Sequence, residues 1–375
     1  MRILVLIDAF RMGGAETLLA PMVIASRATD VQIDVVGAAE ESVNASKTMT
    51  ILAEADIPTH SLGIRRLLDP AAVPKLTRLI RAGGYDVVHA HLEMAMTLAF
   101  PATRLTRTPL VCTFHHVARE LSGRAAARER LAVEAATASE RVLFVSEASR
   151  ESFRQKYRRR RLPTNWDVMH NGIDISLFTP GPADPAIRAE IGGEDRPLVV
   201  LPAAFRDFKG IPVAIRSWPI VIREHPSAVL SLVGGGDIED DLRAEVAALG
   251  LEDSVHFAGV RTDMPEVYRA ADVVLSSSTH GENLPTVLIE ASACGRAVTA
   301  SRIGGIPDII ADGDTGILFP PNNPEALAKT VNRLLSDREL RETLGSAAAA
   351  RARNHFSAAA WMSRLRETYT EVIAR

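Results

Sequence analysis

The sequence predicts an α/β protein of two doubly wound, parallel-sheet domains. Three observations carry that prediction. The chain has 375 residues, more than the roughly 250–300 at which a single hydrophobic core usually stops growing. Short apolar, β-branched runs alternate with longer amphipathic segments, the signature of βαβ units. The alternation halts once, from Asp174 to Pro197, where Pro180, Gly181, Pro182, Pro185, Gly192 and Gly193 crowd together, punctuation typical of a linker.

In the first half the predicted strands are 3–7, 31–36, 87–89, 110–113 and 142–145, each apolar on both faces as a sandwiched parallel strand must be. Helical patterns at 15–28, 73–81 and 124–138 separate them, the first interrupted by Pro21, which is expected to kink it. In the second half the predicted strands are 198–201, 229–233, 255–257, 273–275 and 297–299. The domains are therefore expected at 1–178 and 198–357, with a linker at 179–197. A last amphipathic helix, 358–375, carries Trp361, Leu365, Tyr369 and Ile373 at spacings of four and is expected to pack back on the first domain. Sheets of this kind bind ligands at the carboxyl ends of their strands, so the site is expected in a cleft where the two domains face each other.

Composition narrows the function. Apolar residues make up 47% and charged residues 24%, with a net charge of −3, which argues against whole-surface attraction to nucleic acid. Two cysteines, Cys112 and Cys294, are too few for a disulfide scaffold and suit the reducing cytoplasm. The apolar start is too short for a signal peptide, and no run approaches the roughly 18 apolar residues of a membrane span. Residues 119–161 hold twelve Lys/Arg against six Glu and end in Arg158–Arg161. Such a run is ordinarily a solvated surface. The alternative is peripheral docking on anionic lipid at the inner face of the membrane, at about 1 kcal/mol per basic residue.

The densest chemical signal is the segment 276–295, Ser-Ser-Ser-Thr-His-Gly-Glu-Asn-Leu-Pro-Thr-Val-Leu-Ile-Glu-Ala-Ser-Ala-Cys-Gly. It follows a strand and enters a helix near Pro285, which suits a first helical turn. Backbone N–H groups and the positive end of the helix dipole are then aimed at whatever binds there. Glu282 lies at the mouth of the turn. Glu290 lies about a turn into the helix, where an ionised carboxylate needs donors, and sugar hydroxyls are such donors. The plain alternative is that Glu282 caps the helix and Glu290 pairs with a neighbouring base.

Glu282 and Glu290 with seven residues between them, followed by 291–295 and a strand, resemble the signature of retaining glycosyltransferases of family 4, which have the GT-B fold. The resemblance spans nearly the whole chain. Gly13-Gly-Ala-Glu16, Thr113-Phe-His115, Val145-Ser146, Asn171-Gly-Ile-Asp174, Phe205-Arg-Asp-Phe-Lys-Gly210, Leu232-Val-Gly-Gly-Gly236, Val255-His-Phe-Ala-Gly259 and Gly304-Gly305 all match family motifs in order.

That resemblance implies a transferase moving a hexose or N-acetylhexosamine from a UDP- or GDP-sugar to a glycan, lipid-linked or small-molecule acceptor, with no cofactor and no metal. The first domain would take the acceptor and the second the donor. Arg206 and Lys209 would neutralise the leaving diphosphate, and Glu282 would orient the sugar. Glu290 would hold the ribose, and His115 would donate a hydrogen bond to the sugar. Backbone around Asn283, Leu284, Pro285 and Thr286 would meet sugar hydroxyls. Gly259 and Val260 would meet the base, and Gly13 and Gly14 would let backbone amides approach a phosphate or acceptor. Asn283 stands where the family has glycine, tolerated because asparagine accepts left-handed angles.

Two apparent metal signals are expected to be structural. His89-Ala-His91 lacks a third ligand at useful spacing. Asp237, Asp240 and Asp241 sit at a helix start that favours acids. The rival readings are a sugar-nucleotide epimerase of the same architecture and a non-catalytic sugar-nucleotide-binding subunit.

Overall fold

In the computed structural model, β-branched runs stack into two all-parallel sheets. Residues 1–11, 14–40, 47–67, 69–157 and 159–375 are described. One folding unit comprises Met1–Ile173 and Ala358–Arg375, the other Asp174–Ser357.

The first unit's strands are β1 (Arg2–Ile7), β2 (Gln32–Ala39), β3 (Thr59–Ile64), β4 (Val87–His91), β5 (Leu110–Phe114), β6 (Arg141–Phe144) and β7 (Trp166–Val168), in the order β3-β2-β1-β4-β5-β6-β7. The central strands β4 and β5 are buried along their full length, as strands covered by helices on both faces must be. Strands β3 and β7 escape the sequence reading because they close the sheet. Their burial alternates or lapses, and β3 carries Thr59, His60, Ser61 and Gly63 in place of an apolar run.

Pro21 does not kink a long helix. The segment splits into a 3-10 turn, Glu16–Leu18, and a helix, Leu19–Ser26, which places Pro21 in a first turn where its missing N–H costs nothing. The terminal helix, Ala358–Ile373, belongs to the first unit and buries Trp361, Met362, Leu365, Tyr369 and Val372. Ile373 remains 42% exposed, so Val372 and not Ile373 completes the apolar stripe.

The second unit's strands are β8 (Leu198–Pro202), β9 (Val229–Val233), β10 (Val255–Gly259), β11 (Val273–Ser276), β12 (Ala297–Ser301) and β13 (Ile317–Phe319), ordered β10-β9-β8-β11-β12-β13. The segment 179–197 is not a free linker. Asp184 caps a helix, Pro185–Glu190, and Arg188 donates to Asp272 Oδ2 at 2.8 Å. The boundary falls at Ile173 and not at 178 because Phe178 packs its ring 6.1 Å from that of Tyr268 in the second unit.

In each sheet the strand order reverses beside the first strand, between β1 and β4 and between β8 and β11. The crevice at the carboxyl ends of such a strand pair is where doubly wound sheets bind ligands.

Candidate functional site

In the second unit, the strand order dictates which loops meet. The loop after β8 runs through Arg206, a 3-10 turn at Asp207–Lys209, and Gly210. The loop after β11 carries 277–285. Because β8 and β11 are hydrogen-bonded neighbours, the loops are stitched together. Thr279 N donates to Phe208 O at 2.8 Å, and Ser277 Oγ to Lys209 O at 3.2 Å. Gly210 has φ +62°, and a Cβ there would overlap the Ser277 carbonyl.

This stitching brings Lys209 Nζ onto Glu282 Oε1 as an ion pair. Ser278 Oγ donates to the same carboxylate oxygen at 2.8 Å. The Glu282 side chain is 8% exposed and that of Lys209 20%. Glu282 therefore does not cap the following helix; its charge is balanced by a lysine 73 residues earlier. Arg206 shares the Lys209 loop and is exposed. On the far side, Gly304 (φ +55°) packs under Glu282, where a Cβ would overlap the Glu282 carbonyl.

The helix that follows is Thr286–Ala293, with Pro285 as its N-cap and not its first helical residue. Asn283 is absent from the residues with positive φ, whereas Gly281 has φ +73°. The left-handed turn expected at Asn283 lies two residues earlier, where glycine bears it without a Cβ clash. Leu284 is partly buried and Thr286 exposed. Glu290 sits in the second turn, largely buried, and accepts a hydrogen bond from Tyr268 OH at 2.7 Å on Oε2. Its partner is thus a phenol and not a base. Burial raises the Glu290 carboxyl above its ordinary value, while hydrogen bonds from Tyr268 and Thr286 pull the other way.

At the end of β10, Gly259 adopts φ +69° with open space where a Cβ would stand, and Val260 beside it is 80% exposed. Asp240 and Asp241 lie with Glu239 in the first turn of a helix, Glu239–Ala248.

In the first unit, His115 follows β5 and meets two side chains. His91 Nδ1 lies 2.8 Å from His115 Nε2, and Asn171 Nδ2 lies 3.5 Å from His115 Nδ1. His89 completes a buried row. Its Nδ1 lies 2.7 Å from Tyr369 OH and its Nε2 2.7 Å from Thr113 Oγ1. Burial holds His89 down to about 3 and His91 and His115 well below the usual imidazole range. A third histidine does stand beside His89 and His91, contrary to the spacing argument. Both His89 nitrogens are nonetheless engaged, and among the described residues no group of three or more metal-ligating side chains forms.

Gly13 lies outside the described residues; Gly14 is exposed in the turn before the 3-10 element. Close by in sequence, Asp8 follows β1 and accepts hydrogen bonds from the amides of Met94 at 3.2 Å and Ala95 at 2.7 Å, at the start of a helix, Glu93–Thr106. Burial pushes this carboxyl up to about 6. It lines a cavity of about 860 Å³ at the β1–β4 crevice that also gathers Arg11, Arg65, Arg66, Arg124 and Arg128. The sequence reading missed this cavity because its arginines are scattered over more than a hundred positions. In the basic run, Arg158 lies outside the described residues. Lys156 pairs with buried Glu129, and Arg159 with Glu134 at 3.0 Å. Arg160 and Arg161 are exposed.

Comparison with known proteins identifies this arrangement. The family model described as Glycosyltransferase Family 4 matches residues 12–177, and that described as Glycosyl transferases group 1 matches 184–351. A D-inositol 3-phosphate glycosyltransferase of Salinispora arenicola is 32% identical over 317 residues, 78% of this chain and 70% of that protein. The chain belongs to the family 4 glycosyltransferases. Its two parallel-sheet units are those of the GT-B fold. The structure of Anabaena HepE in complex with UDP matches this glycosyltransferase with a TM-score of 0.85 at 27% identity, covering 99% of this chain and all of the other. A second HepE structure, in complex with UDP-glucose, gives 0.79 at 26% identity, with the same coverage. Among the described residues, no helix is long and apolar enough to cross a membrane.

Proposed function

We propose that this glycosyltransferase moves a hexose or N-acetylhexosamine, with retention of anomeric configuration and without a metal, from a UDP-sugar to a phosphorylated small molecule. One observation carries the reading: Lys209 and Glu282 are paired at the β8–β11 crevice. A cation there neutralises a departing diphosphate, and an acid beside it orients the sugar. Arg206, exposed on the same loop, adds a second cation. Glu290 holds the ribose hydroxyls, and amides of Asn283, Leu284 and Thr286 meet the sugar. Gly259 and Val260 bear on the base. The HepE complexes with UDP and UDP-glucose favour a uridine donor over a guanosine one.

In the reaction the bond between the anomeric carbon and the phosphate oxygen breaks. The acceptor hydroxyl forms the new bond on the same face, and the leaving phosphate takes its proton. No protein nucleophile is needed. His115 would donate to the transferred sugar only by giving up its contact with His91 or Asn171. The arginine-lined cavity of the first unit, with Gly14 in the adjoining loop, takes the acceptor. Five arginines against Asp8, Glu16 and Glu40 favour an anion, in keeping with relatives named for D-inositol 3-phosphate. We place the enzyme in the cytoplasm, in keeping with two buried, unpaired cysteines. Among the described residues, contact with anionic lipid would rest on Arg160 and Arg161, about 2 kcal/mol for the two, too little to anchor the enzyme unaided.

The test incubates the protein with UDP-glucose and inositol phosphate in the presence and absence of EDTA. UDP released in proportion to an α-linked product, unaffected by EDTA, supports the reading. A nucleotide-sugar epimer without glycoside, or donor binding without turnover, overturns it.

A further inference from the structure

We infer that Tyr268 is a positioning residue for donor recognition, holding the Glu290 carboxylate in the orientation that accepts the two ribose hydroxyls. The inference rests on the reading of Glu290 proposed above and extends it to a residue outside the motifs quoted above.

Tyr268 lies on the short helix Met264–Ala270, is wholly buried, and packs its ring against Phe178. A phenylalanine would serve that packing equally well. A buried hydroxyl is costly unless it finds a partner, and this one donates to Glu290 Oε2 at 2.7 Å. The dependence is mutual, because Glu290 is itself a carboxylate taken largely out of water and needs donors to stay ionised.

The count of acceptor sites gives the arrangement its purpose. An ionised carboxylate offers about four lone-pair sites. Tyr268 occupies one from the neighbouring helix. The sites that remain are enough for the two donors of a vicinal diol. A glutamate tethered only by its own chain turns about its last torsion, which is broad; the Tyr268 hydrogen bond fixes that plane before the nucleotide arrives. Pre-set geometry of this kind lowers the ordering cost of binding.

The test measures affinities of the intact protein for UDP and 2′-deoxy-UDP, and for GDP and 2′-deoxy-GDP. Wild type is expected to prefer the ribonucleotide, and Tyr268→Phe to weaken ribonucleotide binding about tenfold. Tyr268→Phe should leave 2′-deoxynucleotide binding nearly unchanged, so that the preference collapses. Loss of packing alone would weaken both nucleotides equally. A Tyr268→Phe protein that keeps the wild-type preference overturns the inference.

Glu290→Gln separates the two claims. If it erases the preference while Tyr268→Phe does not, the role of Tyr268 fails and that of Glu290 stands. If Glu290→Gln leaves the preference intact, the ribose reading fails and the role of Tyr268 falls with it. Should Tyr268→Phe fold poorly, Tyr268→Phe/Glu290→Gln carries no stranded charge. Its preference should equal that of Glu290→Gln alone, since one acts through the other. A double variant whose preference differs from that of Glu290→Gln alone overturns the inference.

Discussion

Lys209 and Glu282, 73 residues apart in the chain, form an ion pair whose side chains are 20% and 8% exposed. Removing one partner of so enclosed a pair leaves a charge without compensation, whereas removing both does not. Lys209→Ala should therefore destabilise the protein by about 1–3 kcal/mol, less than a fully buried pair because some solvent reaches the lysine. The Lys209→Ala/Glu282→Gln double variant should recover part of that loss in urea unfolding. Both proteins should turn over at least about 100-fold more slowly. Single and double variants of equal stability would show that the pair carries no coupling.

Gly304 tests the platform beneath Glu282. Its φ of +55° and the overlap a Cβ would make with the Glu282 carbonyl mean that Gly304→Ala must push the 277–285 loop aside. UDP affinity is expected to fall about tenfold or more, alongside backbone strain of roughly 1–3 kcal/mol. Gly313, with φ +83° and open space around it, is the control. Gly313→Ala should carry strain alone and leave UDP affinity at the wild-type value by calorimetry.

Tyr369→Phe should lower the stability of the first unit by about 1–3 kcal/mol, since it leaves the buried His89 Nδ1 without its hydroxyl while keeping the ring. Tyr369 lies in a different folding unit from Glu282 and Lys209, so UDP affinity should not change. Denaturant unfolding and nucleotide titration on the same sample check both halves of this statement.

Two groups of the first unit, buried His89 and half-buried Asp8, impose opposite pH dependences. His89 is held to about 3 in the folded protein against 6.5 for the free side chain. Between those values the unfolded chain binds the extra proton, so acidification below about 6.5 destabilises the fold. Asp8 is raised to about 6 from 3.8. There the folded chain binds the extra proton, and the associated stability, complete below 3.8, is lost as pH rises through 6. Relative to wild type, His89→Asn should thus lose less Tm on acidification from pH 7 to 5. Asp8→Asn should lose more over the same range. Tm–pH curves of both variants parallel to that of wild type would contradict both assignments.

The architecture was legible in the sequence because buried parallel strands are written as unbroken apolar runs. What escaped was written without them, as in β3, with Thr59, His60 and Ser61 on a sheet edge. The break in pattern at 174–197 was visible, but its meaning was not. Proline and glycine mark turns equally well in a free linker and in a segment that Asp184 and Arg188 fasten to the second unit. At the candidate site, the strand-to-helix turn that carries Glu282 and Glu290 is readable from the sequence. Their partners stayed hidden for two reasons. Ser278 reads as one of several loop serines, and Tyr268 reads as a core aromatic until its hydroxyl is seen to face a carboxylate.

The chain leaves the first unit at Ile173 and returns to it at Ala358, so during synthesis the order of completion inverts. Proteins made from the amino end ordinarily finish their leading domain first. Here the trailing unit is contiguous and can close while the ribosome still holds the segment that covers His89. A nascent chain halted before Ala358 would carry a finished Asp174–Ser357 unit behind a leading one that still lacks its final helix. Residues 358–375 thus join a unit whose other part, Met1–Ile173, is made before any of the second.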